Sequence, residues 1–291
     1  MREFEYHDAR TLDEAIALLG RYEANARVLA GGTDLVIMMS DRVVTPDHVI
    51  DIKRIPELTR FECDHDNGLV FGAAVPFRRL EASPEVRRFY PGLAEAASEV
   101  GSWQIRNLGT PGGNLCTASP ACEIGPILYA LDAQLEVAGP RGRRRVPVQQ
   151  FITDVRRTVL EPDELLVEIH VPAPAARQGS HYIKLKERQK MDIAFVGVAA
   201  VVELEPEDGV IREARIALGA VAPTPIRVPR AEASLRGQRL TDAVLEEAGR
   251  EAAATARPII DVRASAEYRR EMVDILTRRT VQQAAAVAQR A

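Results

Sequence analysis

Residues 105–114 read IRNLGTPGGN, and this stretch does more than any other to decide the fold. A stretch of similar composition, LAGGTDL, occupies residues 29–35. Each places adjacent glycines beside a hydroxyl and a short polar side chain. Because glycine has no Cβ, backbone N–H groups in such turns can approach a ligand closely and form an anion-binding concavity. Two of these turns indicate a ligand with an extended phosphate region, and a dinucleotide is the natural candidate.

Neither turn matches the common phosphate-binding motifs. The chain has no G-x-x-x-x-G-K-[ST] sequence, and neither turn is a G-x-G-x-x-G sequence between a strand and a helix. A pair of adjacent glycines is often no more than a tight turn. The composition of the turns therefore leaves two interpretations open, a pair of ligand-binding loops and a pair of structural turns.

The order of residues in the two turns resembles the flavin-binding subunit of the molybdenum hydroxylases, the group that includes xanthine dehydrogenase and aerobic carbon monoxide dehydrogenase. The first flavin loop of that family reads like AGGTDL, which matches residues 30–35. The second reads like IRNxGT[IV]GGN[LI]xxASPxxD, which is similar to residues 105–123. The likeness continues through residues 157–166 and 184–200, so it covers nearly the whole chain.

The resemblance implies an α+β protein with FAD as its cofactor. A two-subdomain FAD-binding domain of the vanillyl-alcohol oxidase type would occupy residues 1–175, with subdomains at about 1–55 and 56–175. A carbon monoxide dehydrogenase flavoprotein-like C-terminal domain would occupy residues 178–291, with helices on a three-stranded antiparallel sheet. The Pro- and Ala-rich residues 172–179 are expected to mark the boundary.

The family motifs also imply which residues contact the flavin. The first turn would present backbone N–H groups to the pyrophosphate, Glu123 would face the ribityl chain, and Leu160 would edge the isoalloxazine. Lys184 would place a positive charge near the ring and raise the flavin potential. The expected cofactor contacts are Val28, Leu29, Ala30, Gly31, Gly32, Thr33, Asp34, Leu35, Thr110, Gly112, Gly113, Asn114, Cys116, Thr117, Glu123, Leu160 and Lys184.

Two residues depart from the family pattern. Pro111 stands where the family has Ile or Val, so the turn loses an N–H donor and gains a fixed φ. Glu123 stands where the family has Asp, and its carboxylate reaches one methylene further. We therefore expect the contact with the ribityl chain to be shifted or lost.

Composition argues against several other classes of protein. The 291-residue chain has a formal net charge of −4, which disfavours a nucleic-acid or anionic-membrane partner. No apolar run reaches the roughly 18–20 residues of a membrane span, and the N-terminus lacks the apolar core of a signal peptide, so a cytoplasmic protein is expected. Three cysteines cannot supply the four thiolates of an iron–sulfur cluster, and the five histidines show no metal-ligand spacing.

The resemblance implies an oxidoreductase subunit without catalytic side chains or a metal of its own. A molybdopterin-binding large subunit would oxidise the substrate, and a small subunit would relay electrons through [2Fe–2S] clusters. The FAD of this chain would pass them to a small-molecule acceptor such as NAD⁺, a quinone or oxygen, within a hetero-oligomer. Two alternatives stay open: a stand-alone FAD-dependent reductase, and a non-catalytic assembly protein with the same fold.

Overall fold

The computed structural model describes residues 1–189, 191–207 and 209–291. Within those ranges the strands form sheets of three, five, four and two strands. Helices pack on the three larger sheets, which agrees with the α+β prediction. None of the helices in the described part of the chain combines the length and the hydropathy that crossing a bilayer requires.

The N-terminal sheet is small and parallel. Its strands pair in the order β1-β3-β2. Thr11 begins the first helix by accepting a hydrogen bond from the N–H of Glu14, as its capping sequence predicts. Glycine is common at helix ends, but this helix continues past Gly20 and ends at Tyr22. The elements are β1 (Glu5–Asp8), α1 (Leu12–Tyr22), β2 (Ala26–Leu29), α2 (Leu35–Ser40) and β3 (His48–Asp51).

The second sheet is antiparallel, with the strand order β4-β5-β10-β6-β7, and β8 and β9 pair separately. Proline is common at the first position of a helix, but no helix begins at Pro120: the N–H of Cys122 closes a turn on the carbonyl of Ser119, and the helix begins at Ile124. The elements are β4 (Phe61–Asp64), β5 (Gly68–Gly72), α3 (Phe77–Ala82), α4 (Pro84–Phe89), α5 (Pro91–Ser98), α6 (Trp103–Leu108), α7 (Pro111–Thr117), α8 (Ile124–Ala130), β6 (Gln134–Gly139), β7 (Gly142–Pro147), α9 (Val148–Phe151), β8 (Ile152–Asp154), β9 (Arg157–Thr158) and β10 (Leu165–Val171).

The third sheet is antiparallel, with the strand order β11-β12-β13-β14. The three predicted strands are present, and a two-residue fourth strand, β14, extends the sheet beyond the prediction. The elements are β11 (Gln178–Leu185), β12 (Val196–Leu204), β13 (Ile211–Gly219), β14 (Ile226–Arg227), α10 (Pro229–Leu235), α11 (Asp242–Thr255) and α12 (Ala266–Ala288).

Strand β12 separates two hydrophobic cores, and all nine of its residues are buried. Ala199 and Val201 face the core that contains α5 and α8, whereas Val198 and Ala200 face the core under α11 and α12. This alternation follows from the two-residue period of a strand. The continuous apolar run of β12 is therefore explained by burial on both faces, and the third sheet packs directly on the helices of the second.

Candidate functional site

The first glycine turn connects β2 to α2, and each of its two glycines is required for a different structural reason. Gly32 has a φ of +72°, a conformation that favours glycine over other residues. Gly31 has no space for a side chain, because an ideal Cβ would lie 2.0 Å from the carbonyl oxygen of Leu108. Both glycines are thus required by the fold before any ligand is considered.

The same turn offers an uninterrupted set of backbone donors. In the described part of the chain, no acceptor pairs with the N–H groups of the four residues from Gly31 to Asp34. Successive free N–H groups in a turn form a concave site for an anion such as a phosphate. This arrangement matches the pyrophosphate contact expected for residues 29–35.

The second glycine stretch is the boundary between two helices rather than a simple turn. Helix α6 ends at Leu108, and α7 begins at Pro111. The Oγ1 atom of Thr110 accepts a hydrogen bond of 3.0 Å from the N–H of Gly113, and proline at the first helical position removes an N–H that would otherwise need a partner. Thr110 and Pro111 therefore start a helix in spite of the low helix propensity of the glycines that follow.

The two glycine stretches lie against each other, and we call the contact of residues 30–34 with residues 108–117 the glycine junction. Gly31 packs on the carbonyl of Leu108, and the Oγ1 atom of Thr33 lies 3.2 Å from the ideal Cβ position of Gly109. The Oγ1 atom of Thr117 donates a hydrogen bond of 3.1 Å to Asp34 Oδ2. The structure thus brings together the two stretches that the sequence assigns to one ligand.

The two glycines of α7 face different surroundings. An ideal Cβ on Gly112 would lie 2.4 Å from the carbonyl oxygen of Ala73, so that glycine is required for packing against the chain that follows β5. An ideal Cβ on Gly113 would meet only Thr110 Oγ1, at 3.1 Å. Gly113 therefore has an open side on which a ligand can approach the backbone.

The residue after Gly113, Asn114 on α7, contacts the sulfur of Cys122, which follows the helix. The thiol of Cys122 donates a hydrogen bond of 2.8 Å to the side-chain oxygen of Asn114. Burial, with a contribution from the neighbouring carboxylate of Glu123, raises the pKa of Cys122 to about 12, so this sulfur stays protonated. Cys116, which was expected to contact the cofactor, is exposed on the same helix.

Lys184 and Glu123, both expected to contact the flavin, form an ion pair with each other. Lys184 shares a face of β11 with Tyr182, and that face packs toward α5 and α8. Its Nζ donates hydrogen bonds to Glu123 Oε1 at 2.8 Å and to the carbonyl of Glu99 at 3.1 Å. The Lys184 side chain is only 1% exposed, so its charge lies in a buried ion pair.

Leu160 stands apart from these groups. It lies in the loop after β9 and is half-buried against the core that contains α5 and α8. Its N–H donates a hydrogen bond of 3.3 Å to Thr158 Oγ1. No hydrogen bond of Leu160 among the described residues reaches the glycine junction. The contact of Leu160 with the isoalloxazine therefore stays a prediction.

A polar groove beside the β6–β7 hairpin offers no comparable anion site. It is lined in part by three arginines, and each of them is paired with a carboxylate: Arg141 with Asp163, Arg143 with Glu136, and Arg144 with Glu164. Because these charges are balanced within the chain, the groove presents less free positive charge than its arginines suggest. The glycine junction remains the better candidate site.

Comparison with known proteins agrees with the cofactor expected from the glycine stretches. Residues 2–174 match the family model described as the FAD binding domain in molybdopterin dehydrogenase. Residues 181–284 match the model described as the CO dehydrogenase flavoprotein C-terminal domain. Together these two matches cover most of the chain.

Individual relatives match over nearly their full lengths. The carbon monoxide dehydrogenase medium chain of Hydrogenophaga pseudoflava is 38% identical over 96% of both chains. The xanthine dehydrogenase FAD-binding subunit of Escherichia coli O157:H7 is 36% identical over 97% of this chain and 96% of the relative. A solved structure of the Hydrogenophaga pseudoflava carbon monoxide dehydrogenase, in a form that lacks the Mo-pyranopterin moiety, superposes with a TM-score of 0.93 over 99% of this chain and 98% of that one.

These matches confirm the predicted family, fold class and cofactor. Quinoline 2-oxidoreductase from Pseudomonas putida 86 also superposes closely, with a TM-score of 0.92 at 29% identity over 99% of this chain and 98% of that one. The free N–H groups of the first turn and the open side of Gly113 suit a flavin dinucleotide. The chain therefore belongs to the family of FAD-binding medium subunits of the molybdenum hydroxylases, and it is an oxidoreductase subunit whose cofactor is FAD.

Proposed function

We propose that this chain is the electron-transfer subunit of a molybdenum hydroxylase, which takes electrons from a partner subunit and passes them to a small-molecule acceptor. A molybdopterin-binding large subunit would oxidise the substrate, the [2Fe–2S] clusters of a small subunit would relay the electrons, and this chain would pass them to a small-molecule acceptor. NAD⁺, a quinone and oxygen are all acceptors of suitable chemistry. FAD, when bound, accepts electrons singly and releases them as a pair.

The glycine junction is the feature that carries this proposal. The four free N–H groups from Gly31 to Asp34 would bind the pyrophosphate, and Thr33 would add a hydroxyl. Asn114 and Thr117, both on α7, would give polar contacts beside the open face of Gly113. In this arrangement the protein supplies binding and orientation, and the redox chemistry belongs to the cofactor.

We propose that residues 1–175 form the FAD-binding domain, with subdomains at about 1–55 and 56–175, and that residues 178–291 form the C-terminal domain. The extents of the sheets support this division, because β10 ends at Val171 and β11 begins at Gln178. Lys184 links the C-terminal domain to the segment between α7 and α8, through its ion pair with Glu123. The remaining expected contact, Leu160, is proposed to edge the isoalloxazine ring.

The pairing of Lys184 modifies the role expected for its charge. Glu123 Oε1 lies 2.8 Å from Lys184 Nζ, so the two opposite charges largely cancel for any group further away. Lys184 therefore raises the flavin potential less than an unpaired cation would. We propose that the ion pair holds the ammonium group of Lys184 and the carboxylate of Glu123 in fixed positions beside the flavin. A flavin potential unchanged in Lys184→Ala would contradict a tuning role.

Exposed apolar side chains near the glycine junction are the proposed docking face for the cluster-bearing subunit. Transfer between a cluster and a flavin needs close approach, and an apolar patch beside the cofactor favours it. The exposed fractions are 47% for Val36, 59% for Ile37 and 59% for Leu108, and Leu108 contacts Gly31 directly. Val36 and Ile37 lie on α2, which follows the first glycine turn directly, and Leu108 belongs to the junction itself.

The proposal is tested by isolating the chain with and without its partner subunits. We expect the purified chain to bind FAD, seen as a flavin absorption spectrum, and to show slow reductase turnover on its own. After co-expression with the molybdopterin and ferredoxin-like subunits, substrate should reduce the flavin only when the cluster-bearing subunit is present. A chain that binds no FAD supports the assembly-protein alternative, and full turnover of the isolated chain with NADH supports the stand-alone reductase.

A further inference from the structure

Three side chains converge at one end of the N-terminal sheet, away from the glycine junction. The Nε2 atom of His7 lies 3.1 Å from Nδ1 of His48. The carboxylate of Glu5 reaches both rings, with Oε1 at 3.9 Å from His7 Nε2 and Oε2 at 3.4 Å from His48 Nδ1. One potential ligand atom from each of the three side chains thus lies within 4.8 Å of the other two.

The strand register explains why these residues meet. Glu5 on β1 is directly opposite His48 on β3, and His7 is two residues further along, opposite Ile50. Because side chains alternate between the faces of a strand, all four residues project from the same face. Helix α1 covers the part of this face around Ile50, which is fully buried. The helix ends at Tyr22, whose ring packs over the end of the face that carries His7 and His48.

Aromatic packing holds the two imidazoles in place. The ring of Tyr22 stacks on His48 with a centroid distance of 3.5 Å and an interplanar angle of 15°, and it lies 5.2 Å from the ring of His7. The side chains of His7 and His48 are only 14% and 19% exposed, whereas that of Glu5 is 63% exposed. The nitrogen ligands are therefore preorganised, and the carboxylate is free to adjust.

We propose that Glu5, His7 and His48 bind a divalent transition-metal ion, with zinc the best match. Imidazole nitrogen and carboxylate oxygen are suitable zinc ligands, and tetrahedral bonds of about 2.0–2.1 Å separate neighbouring ligand atoms by about 3.3–3.4 Å. The 3.1 Å between the two imidazole nitrogens and the 3.4 Å from His48 Nδ1 to Glu5 Oε2 already lie near that value, and the exposed carboxylate of Glu5 can rotate to bring one oxygen to the ion. Three protein ligands leave the fourth position to water or to another donor.

The ion would join the first strand of the chain to β3 across 41 residues of sequence. Both strands belong to the sheet whose third strand, β2, leads into the first glycine turn. Since the ligands are brought together only by folding, metal binding stabilises the folded chain over the unfolded one. We therefore expect a structural site that stabilises the N-terminal sheet and is independent of electron transfer.

The experiment uses the full chain, stripped with a chelator and titrated with Zn²⁺ in a calorimeter and with Co²⁺ in a visible spectrometer. We expect one tight equivalent of Zn²⁺, a tetrahedral Co²⁺ spectrum and a higher melting temperature. His7→Ala and His48→Ala should each weaken binding more than about 100-fold, since even the loss of an outer partner of a ligand costs 10–100-fold. His65→Ala, which removes an exposed histidine paired with Asp66, is the matched control and should bind as wild type does.

The proposal would be overturned by a wild-type chain that binds no equivalent of Zn²⁺, or by histidine variants that bind it as tightly as wild type. Bound flavin and circular dichroism report whether each variant is folded. If a histidine variant fails to fold, Glu5→Gln decides the question, because this side chain is largely exposed and its replacement disturbs no packing. We expect Glu5→Gln to bind Zn²⁺ at least about tenfold more weakly, and an unchanged affinity would contradict the site.

Discussion

The Nζ atom of Lys184 lies 2.8 Å from Oε1 of Glu123, and this ion pair connects the third sheet to the residue that precedes α8. The two side chains are 1% and 13% exposed. A carboxylate one methylene longer than the family's Asp thus reaches a buried ammonium group. The pair shows that Glu123 has a structural partner in this chain, whatever contact it makes with the cofactor.

Removing Lys184 should destabilise the protein strongly. Lys184→Ala leaves the carboxylate of Glu123 largely buried without its cation, and breaking a buried pair in this way costs about 3–5 kcal/mol. The free energy of unfolding, measured with urea, checks this. Arg250→Ala removes one partner of an exposed pair on α11 and should cost no more than about 0.5 kcal/mol. Equal costs for the two variants would show that the Lys184 pair is energetically unimportant.

A methyl group at Gly31 should disrupt the glycine junction. The new Cβ would overlap the carbonyl oxygen of Leu108, so Gly31→Ala should destabilise by about 3 kcal/mol or more. Gly20→Ala is the matched control: it lies in α1 with no atom within 4 Å of the ideal Cβ, and it should stabilise by about 0.5–1 kcal/mol. Chemical denaturation of both variants gives the comparison. A Gly31→Ala protein as stable as wild type would mean that the two stretches do not pack as described.

Gly113→Ala should separate ligand binding from folding. The added methyl meets only Thr110 Oγ1, so we expect a folded chain with near wild-type stability. If FAD occupies the open side, the methyl obstructs it and weakens FAD binding about tenfold or more. A fluorescence titration with FAD measures the affinity. An unchanged affinity would move the cofactor away from Gly113.

The sequence was sufficient for the family and the cofactor because the order of residues in two short stretches is specific. It was not sufficient to say why each glycine is there. Gly31 and Gly112 are required by carbonyls of Leu108 and Ala73, which lie far from them in the sequence, whereas Gly113 is free of such neighbours. Such a distinction depends on tertiary contacts, and composition carries no information about them.

Local signals were also misread where two of them competed. Adjacent glycines predict a turn, but Thr110 and Pro111 are strong helix-start residues, and their combined effect produces α7. The pairs Lys184–Glu123 and His7–His48 were hidden for another reason. Their members are 61 and 41 residues apart, and only the strand register and layer packing bring them together.

The thiol of Cys122 should be unreactive in the folded protein. With a pKa of about 12, the reactive thiolate is about one part in ten thousand at pH 8, and the hydrogen bond to Asn114 further restricts the sulfur. We expect iodoacetamide to label Cys122 only after denaturation, as measured by mass spectrometry of the peptide. Rapid labelling of the native chain at this position would show that the pocket around Asn114 opens.

Because of His170, the protein should become less stable as the pH falls below 6.5, the ordinary pKa of a histidine side chain. The side chain lies on β10, and within the described residues its Nε2 is buried without a hydrogen-bond partner. Burial lowers the pKa of His170 below 6.5, Arg145 acts in the same direction, and the carboxylates of Glu168 and Glu136 oppose the shift only in part.

The sign of the effect follows from proton linkage. Well above pH 6.5 the imidazole is neutral in both states and contributes nothing, whereas at lower pH the unfolded chain binds a proton that the folded chain resists. Stability is therefore lost as the pH falls from 6.5 toward the folded pKa. Urea unfolding of the FAD-bound chain between pH 7.5 and pH 5 should show a smaller loss in His170→Asn than in wild type, and His65→Asn should retain the wild-type loss because His65 is exposed. Identical slopes in all three proteins would show that His170 takes up its proton as readily in the folded state as in the unfolded state.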